Sequence, residues 1–131
     1  MAGDALVRAR VLLDLFNQEG IDVFAERHWD PDIVWTEPPG FPDAGVHRGR
    51  DAAVLRMRER FEFLGQVTLD VVDAWEFEDR MMLEVVVHSR GPDSGAPTEQ
   101  REFFLVEFSR ERITTFREFL DSDEAFAAFG G

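Results

Sequence analysis

An α+β fold, with helices laid across one face of a single curved, mostly antiparallel sheet, is predicted by three features of the sequence. Apolar residues fall near helical spacing ahead of residue 29, and after Gly65 the period changes, with apolar and polar residues alternating over Val67–Phe77. Two of the three connections between the strands that follow are turns of two residues, which only antiparallel neighbours allow, because parallel strands need a long crossover.

Each element follows from local chemistry. Leu6, Val7, Leu13 and Phe16 give a helix over Asp4–Asn17, with Asp4 available as N-cap. Gly20 breaks it, and Ile21–His28 forms a short second helix with Val23, Phe24 and Trp29 as packing residues. After Pro31, Ile33–Glu37 has strand composition and sets Ile33, Trp35 and Glu37 on one face. The stretch PPGFPDAG holds three of the six prolines and is a loop. Gly49 turns the chain into a helix capped by Asp51 and running to Leu64. Four strands follow over Val67–Phe77, Arg80–Arg90, Thr98–Ser109 and Ile113–Leu120. Their connections are Glu78-Asp79, the longer GPDSGAP loop and Arg110-Glu111, and Ser122–Phe129 closes the chain with a helical turn or two.

The chain has 131 residues, enough for one domain spanning 1–131 with its own core. Apolar side chains stand on both faces of the later strands: Phe103 and Leu105 oppose Phe104 and Val106, and Phe116 opposes Phe119. Helices cover one face; a second copy of the sheet is the simplest cover for the other, so a homodimer through the sheet is expected.

Composition narrows the chemistry. The sequence has no Cys and no Tyr, its fourteen basic residues are all Arg, and with twenty-seven acids its net charge is −13. Disulfides, thiolates, Lys Schiff bases and Tyr donors are excluded, and Arg clamps rather than acting as a base. Proton transfer falls to Asp, Glu, His28, His47 or His88. So acidic a surface repels a phosphate backbone, so no nucleic-acid partner is expected. Arg56, Arg58 and Arg60, interrupted by Glu59 and Glu62, read as a solvated helix face. The first residues lack a signal-peptide pattern and no apolar run is long enough to span a membrane, so a cytoplasmic protein is expected. The histidines are too scattered for a metal site, and neither a phosphate cradle nor a nucleophile elbow is present, so no metal and no cofactor is expected.

The segments DPDIVWTEPPGFPDAGVHRGRDAAV and RITTFREFLDSDEAF, set in the order α-α-β-α-β-β-β-β, resemble the SnoaL-like (polyketide-cyclase-like) branch of the nuclear-transport-factor-2-like superfamily. The carrying features are the Gly turn in HRGRDAAV and the run Phe116-Arg117-Glu118-Phe119 on the final strand. The resemblance covers nearly the whole chain. It implies a cone-shaped half barrel with helices over the concave face, enclosing an apolar pocket for a small organic ligand.

Aligned on that family's epoxide hydrolases, the pocket-facing positions are Glu118 with Phe116, Val86 with His88, Glu102 with Phe104, and Trp35 with Glu37. His88 and Glu118 are the implied catalytic pair, exchanging one proton near neutral pH. Trp35, Glu37, Val86, Glu102, Phe104 and Phe116 are the implied ligand-binding set. For His88 a structural hydrogen bond, for Glu37 a salt bridge to Arg48 or Arg50, and for Glu102 solvent exposure are the alternatives. Without Tyr, the family's isomerase and dehydratase sites are missing, and Val86 and His88 break the Asp-Arg-Asp set of the hydrolases. What remains is cofactor-free acid/base chemistry of cyclase, isomerase or hydrolase type, or, without catalysis, a ligand-binding or dimerisation module.

Overall fold

The computed structural model describes residues 2–93 and 95–130; Ser94, in the expected GPDSGAP loop, and the terminal Met1 and Gly131 lie outside the described residues. The order is α1 (Ala2–His28), β1 (Trp29–Thr36), β2 (Val46–Arg48), α2 (Arg50–Leu64), β3 (Gln66–Phe77), β4 (Arg80–Arg90), β5 (Pro97–Ser109), β6 (Arg112–Phe119) and α3 (Ser122–Gly130). The six strands form one sheet in the order β2-β1-β6-β5-β4-β3. Among the described residues only the β1–β6 pairing is parallel. This is the expected α+β half barrel: a curved, unclosed sheet with helices on its concave face.

Gly20 interrupts α1 with φ 81° and ψ 168°, as the sequence suggests, so the two pieces of α1 meet the sheet as separate helices. Two arginines then fix the turn into β1. Arg112 donates to the carbonyls of Glu26 and Trp29 at 3.1 and 3.0 Å, and Arg50 to the same two at 3.5 and 3.3 Å, supplying donors and positive charge at a helix C-terminus. The start of α2 departs from expectation: Gly49 is the cap, at φ 90°, and no side chain caps the helix, Asp51 included. At the other end Gly65 also has positive φ, and a Cβ there would lie 1.8 Å from the Arg90 carbonyl oxygen. Only glycine passes that close to the end of β4. Asn17 reaches the outermost strand β3, donating to Leu69 O at 2.9 Å and accepting from Leu69 N at 3.1 Å.

The larger core lies between α1, α2 and the concave face, around the fully buried Ile33 and Trp35 with Leu83, Val85, Phe104 and Val106. A smaller one lies on the opposite face, where α3 packs on Met82, Phe103 and Leu105 through Ala125. Part of the apolar surface expected to need a second copy is therefore covered by the chain's own C-terminal helix. Asp121 caps α3 by accepting from the Glu124 amide at 3.0 Å, and Arg80 donates to Phe129 O at 3.0 Å near its end.

Candidate functional site

Strand alternation brings Trp35 of β1, Glu102 and Phe104 of β5, and Phe116 and Glu118 of β6 to the concave face, where the helices close over them. Phe104 stands directly across from Glu118 and Val106 from Phe116, so the two acids lie one step apart on adjacent strands. The Trp35 and Phe116 rings stack with centroids 6.0 Å apart and planes 6° off parallel, and Phe104 meets Phe116 edge-on at 5.0 Å. Phe104 and Phe116, with Leu13, Phe24 and Ile113, wall a cavity of about 70 Å³ that reaches Glu102, Glu118 and Arg60.

Both acids are buried, Glu102 at 2 % and Glu118 at 4 % exposure. Glu118 Oε1 accepts the Trp35 indole N–H at 2.8 Å and an Arg60 N–H at 2.8 Å. Glu102 has no such support: its Oε1 finds no donor among the described residues. Burial, then the hydrogen bond to Glu118 and the charge of Glu118, push the Glu102 carboxyl up to about 10, and Arg60 offsets this only in part. Glu102 is therefore a neutral acid at neutral pH, beside a carboxylate held by a cation and an indole.

Glu37, just beyond β1, organises a second layer. It is 2 % exposed and accepts from Arg56 Nε at 3.0 Å, with His47 Nε2 at 2.6 Å and Arg60 Nη1 at 3.7 Å. Burial opposes its charge, but the Arg56 and His47 hydrogen bonds and the nearby Arg56 and Arg60 charges outweigh it, holding the carboxyl below its usual range. The short strand β2 places His47 by pairing it with Trp35. Arg56 also donates to Pro42 O at 3.1 Å, and the Arg60 guanidinium lies 4.6 Å from the Phe41 ring centroid and 5.3 Å from that of Trp35. The proline-rich loop is thus tied to the acid site through two arginines.

The structure gathers Trp35, Glu37, Glu102, Phe104, Phe116 and Glu118 around this site and places Val86 and His88 elsewhere. In an antiparallel ladder directly opposed residues share a face. Val85 is opposite Glu102 and Val87 opposite Gln100, so Leu83, Val85, Val87 and Ser89 face inward and Val86 and His88 outward. On the outer face His88 sits 2.8 Å from Asp70 and 3.3 Å from Glu99, so it does not meet Glu118. The family alignment put β4 out of phase because the long loop before β5 leaves the register undetermined in sequence. Arg56 and Arg60 correct a second expectation. Their side chains are only 20 % and 15 % exposed and turn inward, while Arg58 alone points out, to Asp22. Their spacing of four residues, on the helix face that buries Ala53 and Met57, is the signal that separates them from Arg58. Among the described residues, no group of three His, Asp or Glu side chains is placed to hold a metal ion, and no helix is long and apolar enough to cross a membrane.

A curved sheet capped by helices, with ionisable residues at the end of an apolar cavity, defines a small α+β half barrel of the nuclear-transport-factor-2-like class. More specifically, residues 9–116 match the SnoaL-like domain, and the chain belongs to that family. Solved structures similar to it include a protein of unknown function from Burkholderia pseudomallei described as NTF2-like, 18 % identical over 91 % of this chain and 92 % of that one, with a TM-score of 0.74. Also similar is TerC, co-crystallized with polyporic acid, 14 % identical over 97 % and 99 % with a TM-score of 0.73. A hypothetical protein of ketosteroid isomerase-like fold from Catenulispora acidiphila, in complex with trimethylamine, is 13 % identical over 88 % and 87 % with a TM-score of 0.69. No curated protein matches the chain. At these identities the likeness is one of fold.

Proposed function

We propose that the protein binds a small, largely apolar organic molecule and moves a proton on it without a cofactor, through Glu102 and Glu118. The observation that carries this reading is the buried acid pair at an apolar cavity, one member kept neutral and the other anchored by Arg60 and Trp35. With its carboxyl raised to about 10, Glu102 stays protonated at pH 7 and serves as a hydrogen-bond donor to a carbonyl or developing oxyanion. Glu118 is the partner that accepts a proton from carbon or water. Enolisation, ring closure and water addition all need that combination, which suits cyclase, isomerase or hydrolase chemistry. The trimethylamine and polyporic acid held by the two relatives of this fold support small-molecule binding.

Polycyclic ketones, epoxides and hydroxylated aromatics are the compounds to screen for turnover. Glu118→Gln is expected to lower the rate on any substrate found by about 10²-fold or more, the usual contribution of a general base. Equal turnover by wild type, Glu118→Gln and Glu102→Gln would leave a binding module in place of an enzyme.

For assembly the proposal is a homodimer through the outer face of the sheet, supported by Phe77 and Phe126 there, 57 % and 36 % exposed despite α3. Light scattering should give twice the 15.0 kDa chain mass, and Phe77→Asp should halve it. A wild-type monomer at 100 μM would refute the dimer.

A further inference from the structure

The inner cavity is too small to be the whole binding site. An apolar cavity of roughly 150 Å³ takes one benzene, and this one measures about 70 Å³. It has room for a small substituent, not for a ring system. Drug-sized ligands occupy sites of roughly 300–1,000 Å³. A second hollow in that range, about 510 Å³, adjoins the first. It lies between the proline-rich loop, α2 and the ends of β4 and β5, and both hollows are lined by Arg60, Leu64, Val87 and Glu102. These four residues form a waist; Glu102 stands at it, and Glu118 lies on its inner side, bonded to Arg60.

The outer hollow is two-sided. Phe41, Phe63, Leu64 and Leu120 give it apolar walls, and Phe63 is exposed. Opposite them, the inward alternation that sets Glu102 continues outward along β5 as Gln100 and Thr98, with Ser89 of β4 across from Thr98. Ser89 and Thr98 hydrogen-bond each other through their hydroxyls, and Gln100 carries an amide, so this strip can both donate and accept without charge. Charged residues around the hollow balance: Arg56 and Arg60 against Asp43 and Glu59, with Glu102 neutral. Arg56 and Arg60 are already engaged by Glu37 and Glu118. Nothing here favours a strongly anionic or cationic occupant.

We infer that this outer hollow is the principal binding compartment, taking an uncharged ring compound with hydroxyl or carbonyl groups along one edge. That edge lies on Ser89, Thr98 and Gln100, the ring plane rests between α2 and the loop, and only a small end crosses the waist toward the inner cavity. The inference rests on the proposed proton-transfer site, because a ring in the outer hollow would meet Glu102 at the waist and its small end would meet Glu118 just inside. It makes Gln100 and Thr98 specificity residues: they recognise the ligand's oxygen atoms and take no part in proton transfer.

The test is a titration of the full chain with naphthalene, 2-naphthol and 2-naphthoate, followed by amide and methyl NMR shifts. Two fused rings exceed the inner cavity, so 2-naphthol should shift Ser89, Thr98, Gln100 and Val87, and bind at least about fivefold tighter than naphthalene or 2-naphthoate. Gln100→Leu combined with Thr98→Val, both at exposed positions, should erase that preference while leaving naphthalene affinity within twofold. Leu13→Phe, which fills the inner cavity, should change 2-naphthol affinity less than twofold. Shifts confined to Leu13, Phe24 and Ile113, loss of binding in Leu13→Phe alone, tighter binding of the naphthoate, or no binding of any probe at millimolar concentration each overturn the inference. Failure of the proton-transfer reading looks different. In that case 2-naphthol still fills the outer hollow, but the carboxyl ¹³C shift of Glu102 reports an ionised group at pH 7.

Discussion

Glu102→Gln is expected to make the protein more stable at neutral and alkaline pH and to flatten its stability profile. In the unfolded chain Glu102 ionises near its ordinary value of 4.5, whereas the folded chain keeps its proton up to about 10. Between those limits the unfolded state binds fewer protons, so wild-type stability falls as pH rises. The contribution is fully present below about 4.5 and lost as pH climbs through the folded value. At pH 7 the loss approaches roughly 3 kcal/mol, at 1.36 kcal/mol per unit. Glutamine keeps the shape, still donates to Glu118 and has no proton to lose. Urea unfolding at pH 5, 7 and 9 should show the variant and wild type diverging steadily, and parallel profiles would disprove a neutral Glu102. Glu37 acts on the acid side with the opposite sign. Its lowered carboxyl adds stability above its ordinary value and loses it as pH falls through the folded one. The combined contribution of these two buried acids is largest in the weakly acidic range.

Arg60→Met should be the most damaging single change at the site. The side chain is 15 % exposed, bonded to Glu118, near Glu37, and seated against the Trp35 and Phe41 rings. Removing one partner of a buried ion pair costs about 3–5 kcal/mol, because the other charge remains without compensation. Methionine fills most of the space, so the loss reports electrostatics more than packing. Adding Glu118→Gln to Arg60→Met removes the stranded carboxylate and should restore part of the stability. A double-mutant cycle by chemical denaturation reads the coupling directly, and strict additivity of the two changes would show that Arg60 and Glu118 do not interact. The same loss of Arg60 should free the proline-rich loop from one of its two tethers, measurable as faster amide exchange at Phe41.

Most of the architecture was legible because it is set by short-range chemistry. Gly20 splits the first helix, the two-residue turns fix β3 with β4 and β5 with β6, and alternation places Trp35, Glu102, Phe104, Phe116 and Glu118 on one face. The short β2 strand escaped notice because three residues carry no period, and it forms only through pairing with β1. His88 shows the limit most plainly. Its strand has apolar residues of both parities, Met81, Met82, Leu83 and Val85 all being buried, so alternation alone does not say which set faces in. Only the register against β5 decides that, and a seven-residue loop hides the register. The arginines of α2 were misread for a related reason: an isolated Arg reads as solvated until its carboxylate partners, which lie about twenty and nearly sixty residues away in sequence, are known to converge beneath it.

Asn17 also bears on the protein's behaviour in solution. β3 is a long outermost strand, and outermost strands recruit other chains through their unpaired backbone groups. By donating to and accepting from Leu69, the Asn17 amide imitates the neighbouring peptide that an intruding strand would supply. The first helix therefore occupies part of the edge that an intruding strand would need, and Asn17→Ala is expected to raise the aggregation rate, read by light scattering.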